Sequence, residues 1–147
     1  MRLSIVVFVF VLLAGCATTS QMPNPAVSEF VETEGAFFLT EPQGEQTKVL
    51  YAMTYKFRKP LPNGVVSKVE FENPEPNGAP LVVQQTIESG QTQLSVRSPL
   101  LPGMINNHNY TVILRLYEGE TLFSTHTDSV RFQLQPEMVK ILRLKLY

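Results

Sequence analysis

Hydrophobic and polar residues alternate with a period of two along most of this chain. In residues 47–58, every second residue from Val49 to Phe57 is apolar, whereas Lys48 and Lys56 fall on the other face. A strand with one buried face requires this alternation, because successive side chains point to opposite sides of a sheet. We therefore predict a β-strand over residues 47–58.

The same alternation, interrupted by turn-forming residues, recurs along the chain. It predicts further strands in residues 30–39, 65–71, 81–87, 93–97, 110–117, 121–127, 129–134 and 138–146. Asn63-Gly64 is a strong hairpin signal between two of these strands, and Gly35 predicts a bulge in the first. No long stretch has convincing helical spacing. Short strands with turns about every 8 to 12 residues are typical of an antiparallel sandwich or barrel.

The N-terminal residues have a different pattern. Arg2 precedes an apolar run over residues 5–13, and residues 13–16 read Leu-Ala-Gly-Cys. The run is shorter than the roughly 20 residues of a membrane-spanning helix, and its layout is that of a secretory signal. The sequence at residues 13–16 resembles the lipobox of bacterial lipoproteins. That resemblance implies cleavage before Cys16 and attachment of lipid to Cys16.

These features divide the chain into three parts. Residues 1–15 form a signal peptide, residues 16–26 comprise the lipidated Cys16 and a flexible tether, and residues 27–147 form one β-sandwich domain. The nine residues of the tether between Cys16 and Ala26 extend to at most about 30 Å, so the domain stays close to the membrane. Ala17 follows the cysteine where lipoproteins of the inner membrane often carry aspartate. The resemblance therefore implies an outer-membrane anchor with the domain facing the periplasm, and a Gram-positive surface is the alternative.

Composition limits the classes of protein that this chain can belong to. Cys16 is the only cysteine, so no disulfide can form within the chain. The chain has 12 Lys and Arg against 13 Asp and Glu; without Arg2 the balance is 11 − 13 = −2. This balance gives no reason to expect a nucleic-acid partner. The 132 residues after the signal peptide (147 − 15) suit a single domain.

A second resemblance lies in the middle of the chain. Leu-Pro-Gly at residues 101–103, followed by the alternating run from Tyr110, resembles the corner of fibronectin type III and other immunoglobulin-like domains. The resemblance implies that the Tyr110 ring packs in the core while its hydroxyl bonds the backbone just upstream. The chain departs from that family in its longer loop over residues 104–109 and in having no tryptophan. The expected fold is all-β, a single immunoglobulin-like antiparallel β-sandwich.

Candidate catalytic residues are few. Ser124, His126 and Asp128 alternate along one predicted strand, about 6.5 Å apart, which is too far for a catalytic relay. We interpret them as a solvated outer face. A metal site at His126 and Asp128 would need His108 as a third ligand. Pairs of glutamates on one strand or turn favour protective edge charges over a glycosidase site: Glu32 with Glu34, Glu70 with Glu72, and Glu118 with Glu120. We therefore expect a protein that is not an enzyme, with no cofactor or metal.

The surplus apolar residues suggest a contact surface. Ile113 and Tyr117 lie on the strand face opposite Tyr110, and Phe123 lies across the hairpin from them. Either both faces of this strand are covered, or these residues form an exposed patch for a protein partner. We expect a non-catalytic envelope lipoprotein that docks a protein partner at the periplasmic face of the outer membrane. The alternative is a glycan- or peptidoglycan-binding module that uses Tyr and Phe side chains around residues 105–109.

Overall fold

The computed structural model describes residues 26–147, which form seven strands and one short helix. The predicted signal peptide, Cys16 and nearly all of the tether lie outside the described residues. No helix in residues 26–147 has the length and apolar character needed to cross a membrane. The elements are β1 (Val31–Gln43), β2 (Gln46–Phe57), β3 (Val66–Phe71), β4 (Leu81–Thr86), β5 (Gln93–Arg97), β6 (His108–Glu118), β7 (Thr121–Phe132) and α1 (Pro136–Leu142).

The strands form two antiparallel sheets. One sheet has the order β1-β2-β5 and the other has the order β4-β3-β6-β7. Inward-facing apolar side chains of both sheets share one core. The fold is therefore an immunoglobulin-like antiparallel β-sandwich, which confirms the fold class predicted from the sequence.

The hairpin predicted at Asn63-Gly64 is wrong. Gly64 does adopt the positive φ of +76° that such a turn uses. However, β2 ends at Phe57 and β3 begins at Val66, and the two strands belong to different sheets. A connection of this length crosses the sandwich, whereas a two-residue hairpin keeps its strands paired. The turn at Gly119 does join two paired strands, β6 and β7.

Aromatic side chains link the two sheets in the core. The Phe38 ring of β1 lies 4.9 Å from the Tyr51 ring of β2, 5.8 Å from Tyr110 of β6 and 5.1 Å from Phe132 of β7. Tyr51 and Tyr110 are fully buried. Since burial of one large apolar side chain contributes about 1.5–3 kcal/mol, this cluster provides much of the attraction between the sheets.

Tyr110 also fixes the loop that precedes β6. Its hydroxyl accepts a hydrogen bond from the backbone N–H of Ile105 at 2.7 Å and donates one to the Ile105 carbonyl at 3.3 Å. Burial raises the pKa of Tyr110, because the phenolate would lose its hydration in the core. These are the contacts that the immunoglobulin-like resemblance implies for this tyrosine.

The strand predicted over residues 138–146 is wrong. Residues 136–142 form α1, and only Leu144 and Leu146 make isolated bridges, to Thr47 and Met104. Pro136 occupies the start of the helix, where its fixed φ is favourable and its missing N–H costs nothing. The apolar alternation that suggested a strand begins only at the end of this helix.

Candidate docking surface

The two sheets end in four edge strands, namely β1, β5, β4 and β7. An edge strand exposes backbone N–H and C=O groups that can pair with another chain, so proteins usually protect it with charges, bulges or a covering segment. Strand β1 carries three glutamates, at Glu32, Glu34 and Glu41, and a bulge at Glu34 next to Gly35. This confirms the predicted bulge, and it makes β1 a poor template for a further strand.

Strand β5 is short, and β7 is covered. β5 has five residues and ends in the exposed Arg97. Along β7 runs a segment that we call the N-terminal clasp, residues 26–30. The backbone N–H of Thr127 donates to the carbonyl of Ala26 at 2.8 Å, and the rings of Phe30 and Phe123 meet edge to face at 5.3 Å. The clasp therefore occupies part of the β7 edge.

Strand β4 is one residue longer than β5, and among residues 26–147 it has no protective charge, bulge or covering segment. Of the seven strands in residues 26–147, it alone contains no charged residue, and its pairing with β3 has no bulge. Its sequence is Leu-Val-Val-Gln-Gln-Thr, and Val82 is 47% exposed. Uncharged edges of this kind are the ones on which other chains can pair.

The register shows which backbone groups of β4 are free. The N–H of Ile87 donates to the carbonyl of Val65, which makes these two residues a hydrogen-bonded pair. Hydrogen-bonded and non-hydrogen-bonded pairs alternate along an antiparallel ladder. It follows that Val82, Gln84 and Thr86 direct their N–H and C=O groups away from β3, towards the open edge.

The outer face beside β4 combines an ion cluster with an apolar recess. The Glu70 carboxylate lies 2.6 Å from Arg115 and 3.4 Å from Lys68. The Arg115 guanidinium holds the pKa of Glu70 below its usual value. Next to the start of β4, a cavity of about 200 Å³ is lined by Phe71, Pro80 and Ile113, among others. The recess could receive an apolar side chain of a docked segment.

The structure separates the three residues of the predicted contact patch. Ile113 and Tyr117 are half-buried and belong to the outer face of the four-stranded sheet. A register shift pairs Tyr117 with Leu122, and Phe123 packs against the core and Phe30. The shift inserts one extra residue and so changes which face Phe123 occupies. Nothing in the alternation of the sequence marks that position.

The interpretation of Ser124, His126 and Asp128 as a solvated outer face is wrong. His126 is only 8% exposed, and all three side chains lie on the inner side of β7 among residues of the clasp and β1. The His126 ring also meets the buried Tyr55 ring edge to face at 6.1 Å. Along β7, these three residues and the buried Val130 and Phe132 are every second residue, so all five lie on the same face of the strand. These polar residues therefore occupy core-facing positions.

Hydrogen bonds link these residues into a chain that we call the polar cluster. The backbone N–H of Ser28 donates to Nδ1 of His126 at 3.2 Å, so Nδ1 carries no proton. Nε2 then donates to Oγ1 of Thr33 at 2.9 Å, and Oγ1 donates to Oδ1 of Asp128 at 2.7 Å. The Ser28 hydroxyl bonds that of Ser124 at 2.5 Å. The cluster thus fastens the clasp to β7.

This arrangement is unlike a catalytic triad. The hydroxyl of Ser124 bonds Ser28, whereas a triad would need it to bond His126. The hydroxyl of Tyr55 and Oδ2 of Asp128 are both buried without a hydrogen-bond partner. Burial raises the pKa of Tyr55, and the nearby Asp128 carboxylate raises it further. The cluster therefore supports structure, and its geometry provides no activated nucleophile.

The other histidine has a similar structural role. Nε2 of His108 lies 2.7 Å from Oε1 of Glu72, whose other oxygen accepts a hydrogen bond from the N–H of Thr111 at 2.7 Å. Glu70 and Glu72 lie on or next to β3, an inner strand, so these two charges do not protect an edge. Across residues 26–147, no group of three or more His, Cys, Asp or Glu side chains is placed to share a metal ion.

Comparison with known protein families, curated proteins and solved structures finds no match to this chain. Function must therefore be argued from the residues themselves. Reasoning from the sequence missed the open edge at β4, although the absence of charge from residues 81–86 was visible there. It also missed that His126 bonds Ser28 and Thr33, because these two residues lie more than 90 positions away from it along the chain.

Proposed function

We propose that this chain is a non-catalytic envelope lipoprotein that docks a protein partner. Lipid on Cys16 anchors it, and the tether holds the sandwich at the periplasmic face of the outer membrane. The lipobox-like sequence at residues 13–16 supports the anchor. The open β4 edge supports docking, and it is the single observation that carries this part of the proposal.

The proposed occupant of the edge is an extended segment of the partner protein. Such a segment would add a strand beside β4 and pair with the N–H and C=O groups of Val82, Gln84 and Thr86. Main-chain hydrogen bonds supply affinity in this mode of recognition, and alternate side chains supply specificity. An edge without charged side chains suits an uncharged segment, because no buried charge is left unpaired. The cavity beside Pro80 could receive one apolar side chain of the segment.

The glycan-binding alternative receives less support from the contacts of its loop. Tyr110 is fully buried, and Ile105 bonds its hydroxyl. The Asn106 side chain donates to the carbonyl of Leu134 and accepts from its N–H. The alternative requires Tyr and Phe side chains around this loop, but Tyr110 cannot stack on a ligand, and the Asn106 amide is already used within the protein.

Site-specific crosslinking in cells tests the docking proposal. A photoreactive residue replaces Gln84 on the open edge or, as a control, Leu122, which is 46% exposed at the far end of the same sheet. We expect one adduct of defined mass from position 84 and none from position 122. The variant Gln84→Pro removes a free N–H and leaves the pairing with β3 intact. In this variant the photoreactive residue stands at Val82. We expect Val82 to give an adduct when residue 84 is glutamine and none when it is proline. Equal adducts from both positions, or an adduct that survives Gln84→Pro, would contradict docking by strand addition.

A further inference from the structure

The last twelve residues, 136–147, which we call the C-terminal segment, expose apolar side chains to solvent. Ile141 is 70% exposed, Met138 is 42% exposed, and Leu146 and Tyr147 are each 38% exposed. Met138 and Ile141 are three positions apart on α1, so they share one face of the helix. The half-buried side of the helix carries Val139 and Leu142, and Leu142 lines a cavity with residues of β1 and β7. The helix therefore packs on one side and presents the other.

The same segment is basic. It contains Lys140, Arg143 and Lys145 against Glu137, a balance of 3 − 1 = +2, whereas the chain after the signal peptide has a balance of −2. Within residues 26–147, none of these three cations forms an ion pair, while other cations such as Lys59 and Arg115 lie against glutamates. The Nζ of Lys145 lies 4.6 Å above the Tyr147 ring. Exposed apolar groups beside unpaired cations are typical of a protein surface that lies on a membrane.

The N-terminal clasp leads towards the same end of the sandwich. Phe30 lies beside Phe123, and Ala26 lies beside Thr127. Followed backwards from Phe30 to Ala26, the chain therefore runs towards the end of β7 that continues into α1. Ten residue steps separate Cys16 from Ala26, and they extend to at most about 36 Å. A lipid on Cys16 can thus reach the level of the C-terminal segment.

We propose that the C-terminal segment lies on the anionic phospholipid surface in which Cys16 is anchored. Met138 and Ile141 insert among the headgroups, and Lys140, Arg143 and Lys145 lie against the phosphates. This inference rests on the lipid anchor of the proposed function, because the anchor raises the effective concentration of a weakly binding surface. The contact would fix the orientation of the sandwich relative to the membrane.

A single introduced tryptophan reports this contact, because the chain has none of its own. The full chain carrying Ile141→Trp, or Leu122→Trp as the control, is purified with its native N-terminus and reconstituted in phosphatidylethanolamine–phosphatidylglycerol vesicles with brominated acyl chains. Leu122 has comparable exposure to Met138 and lies at the opposite end of β7 from α1. We expect emission from position 141 to shift to the blue and to be quenched about twofold or more, and emission from position 122 to do neither.

Reversing the charges separates the electrostatic part of the contact from the apolar part. Lys140→Glu, Arg143→Glu and Lys145→Glu, introduced together with Ile141→Trp, should remove most of the quenching, as should zwitterionic phosphatidylcholine vesicles. If neither the charge reversal nor the phosphatidylcholine vesicles reduces the quenching, the role of the anionic headgroups is wrong. A blue shift that depends on protein concentration without vesicles would instead identify a second copy of the chain as the occupant and overturn the proposal.

Mass spectrometry of the N-terminus distinguishes failure of the anchor from failure of this inference. If Cys16 carries lipid and position 141 remains unquenched, the inference is wrong while the anchor stands. If Cys16 is unmodified, the anchor fails, and titration of the two tryptophan variants with anionic vesicles still tests the segment. Selective quenching at position 141 would then support membrane contact, and its absence at saturating lipid would contradict it.

Discussion

The two edge strands of the four-stranded sheet, β4 and β7, differ in whether another segment of the chain covers them. At β7, the N-terminal clasp covers part of the edge and is fastened by a hydrogen-bonded chain that joins Ser28, His126, Thr33 and Asp128. At β4, a strand of six uncharged residues has an open edge, with no covering segment among residues 26–147. Natural proteins usually protect such edges. The difference indicates that the β4 edge is available to a partner, whereas the β7 edge is occupied by the chain itself.

Closing the β7 edge requires a buried polar cluster, and this has an energetic consequence. Polar groups in a core stabilise only when their hydrogen bonds are made, since an unpaired buried group costs about 1–3 kcal/mol. Almost every polar atom of the cluster has a partner; the exceptions on this side of the core are one oxygen of Asp128 and the hydroxyl of the neighbouring Tyr55. The stability of this side of the sandwich therefore depends on a few specific buried contacts.

Proline substitutions on β4 provide the strongest test of which backbone groups are free. Gln85→Pro removes an N–H that pairs with β3 and leaves the β3 carbonyl without its donor, so it should lower the free energy of unfolding by about 1–3 kcal/mol. Gln84→Pro removes an N–H that faces the open edge and should lower it by less than about 1 kcal/mol. Urea unfolding followed by circular dichroism measures both changes. Similar losses for the two variants would show that the assigned direction of the backbone groups is wrong.

Substitution of His126 tests whether the polar cluster holds the N-terminal clasp on the β7 edge. His126→Ala leaves the Ser28 N–H without an acceptor and opens a void beside Tyr55, while the Thr33 hydroxyl keeps only its bond to Asp128, so we expect a loss of about 2–4 kcal/mol. The clasp should also become sensitive to protease, while Leu122→Ala, at an exposed position of the same strand, should change neither property. An unchanged unfolding free energy together with a resistant clasp would show that the cluster does not hold the edge closed.

In the core, the hydroxyl of Tyr110 is hydrogen-bonded, whereas the hydroxyl of Tyr55 has no partner. Tyr110→Phe leaves the Ile105 N–H without its acceptor and should cost about 1–3 kcal/mol. Tyr55→Phe removes a buried hydroxyl that has no partner and should therefore raise the free energy of unfolding, by up to about 1–3 kcal/mol. Thermal or urea unfolding of both variants gives the comparison. A loss at Tyr55 as large as that at Tyr110 would mean that its hydroxyl bonds Asp128 in solution.

Alkaline pH should weaken the fold through the same buried tyrosines. Burial raises the pKa of Tyr51, Tyr55 and Tyr110 above the ordinary value of 10.0. Their stabilising effect is complete below about pH 10 and decreases above it, because the unfolded chain loses these protons first. Each of these groups contributes a slope of at most about 1.4 kcal/mol per pH unit. Urea unfolding between pH 8 and pH 11 should show the decrease, and Tyr55→Phe should make it shallower; identical slopes would contradict the account.

Local patterns in the sequence predict the fold well and the site poorly. Alternation identifies the strands because the apolar face of each, such as the residues from Val49 to Phe57, must be buried. It fails at residues 138–146, where a seven-residue helix starting at Pro136 precedes the alternating leucines. It also cannot show that Ser28 pairs with His126, 98 positions away, because that contact depends on how the two sheets pack. The sheet order, which makes β4 an edge, is likewise a property of long-range pairing.

Amide hydrogen exchange in the free protein tests the contrast between the two edges most directly. Resolved residue by residue by NMR, the amides of Val82, Gln84 and Thr86 should exchange rapidly, since they point away from β3. The amide of Thr127, which donates to Ala26, should be protected by the clasp, and His126→Ala should remove that protection. Protected amides at Val82, Gln84 and Thr86 in the isolated monomer would show that the β4 edge is already occupied, and would contradict its proposed role as the docking site.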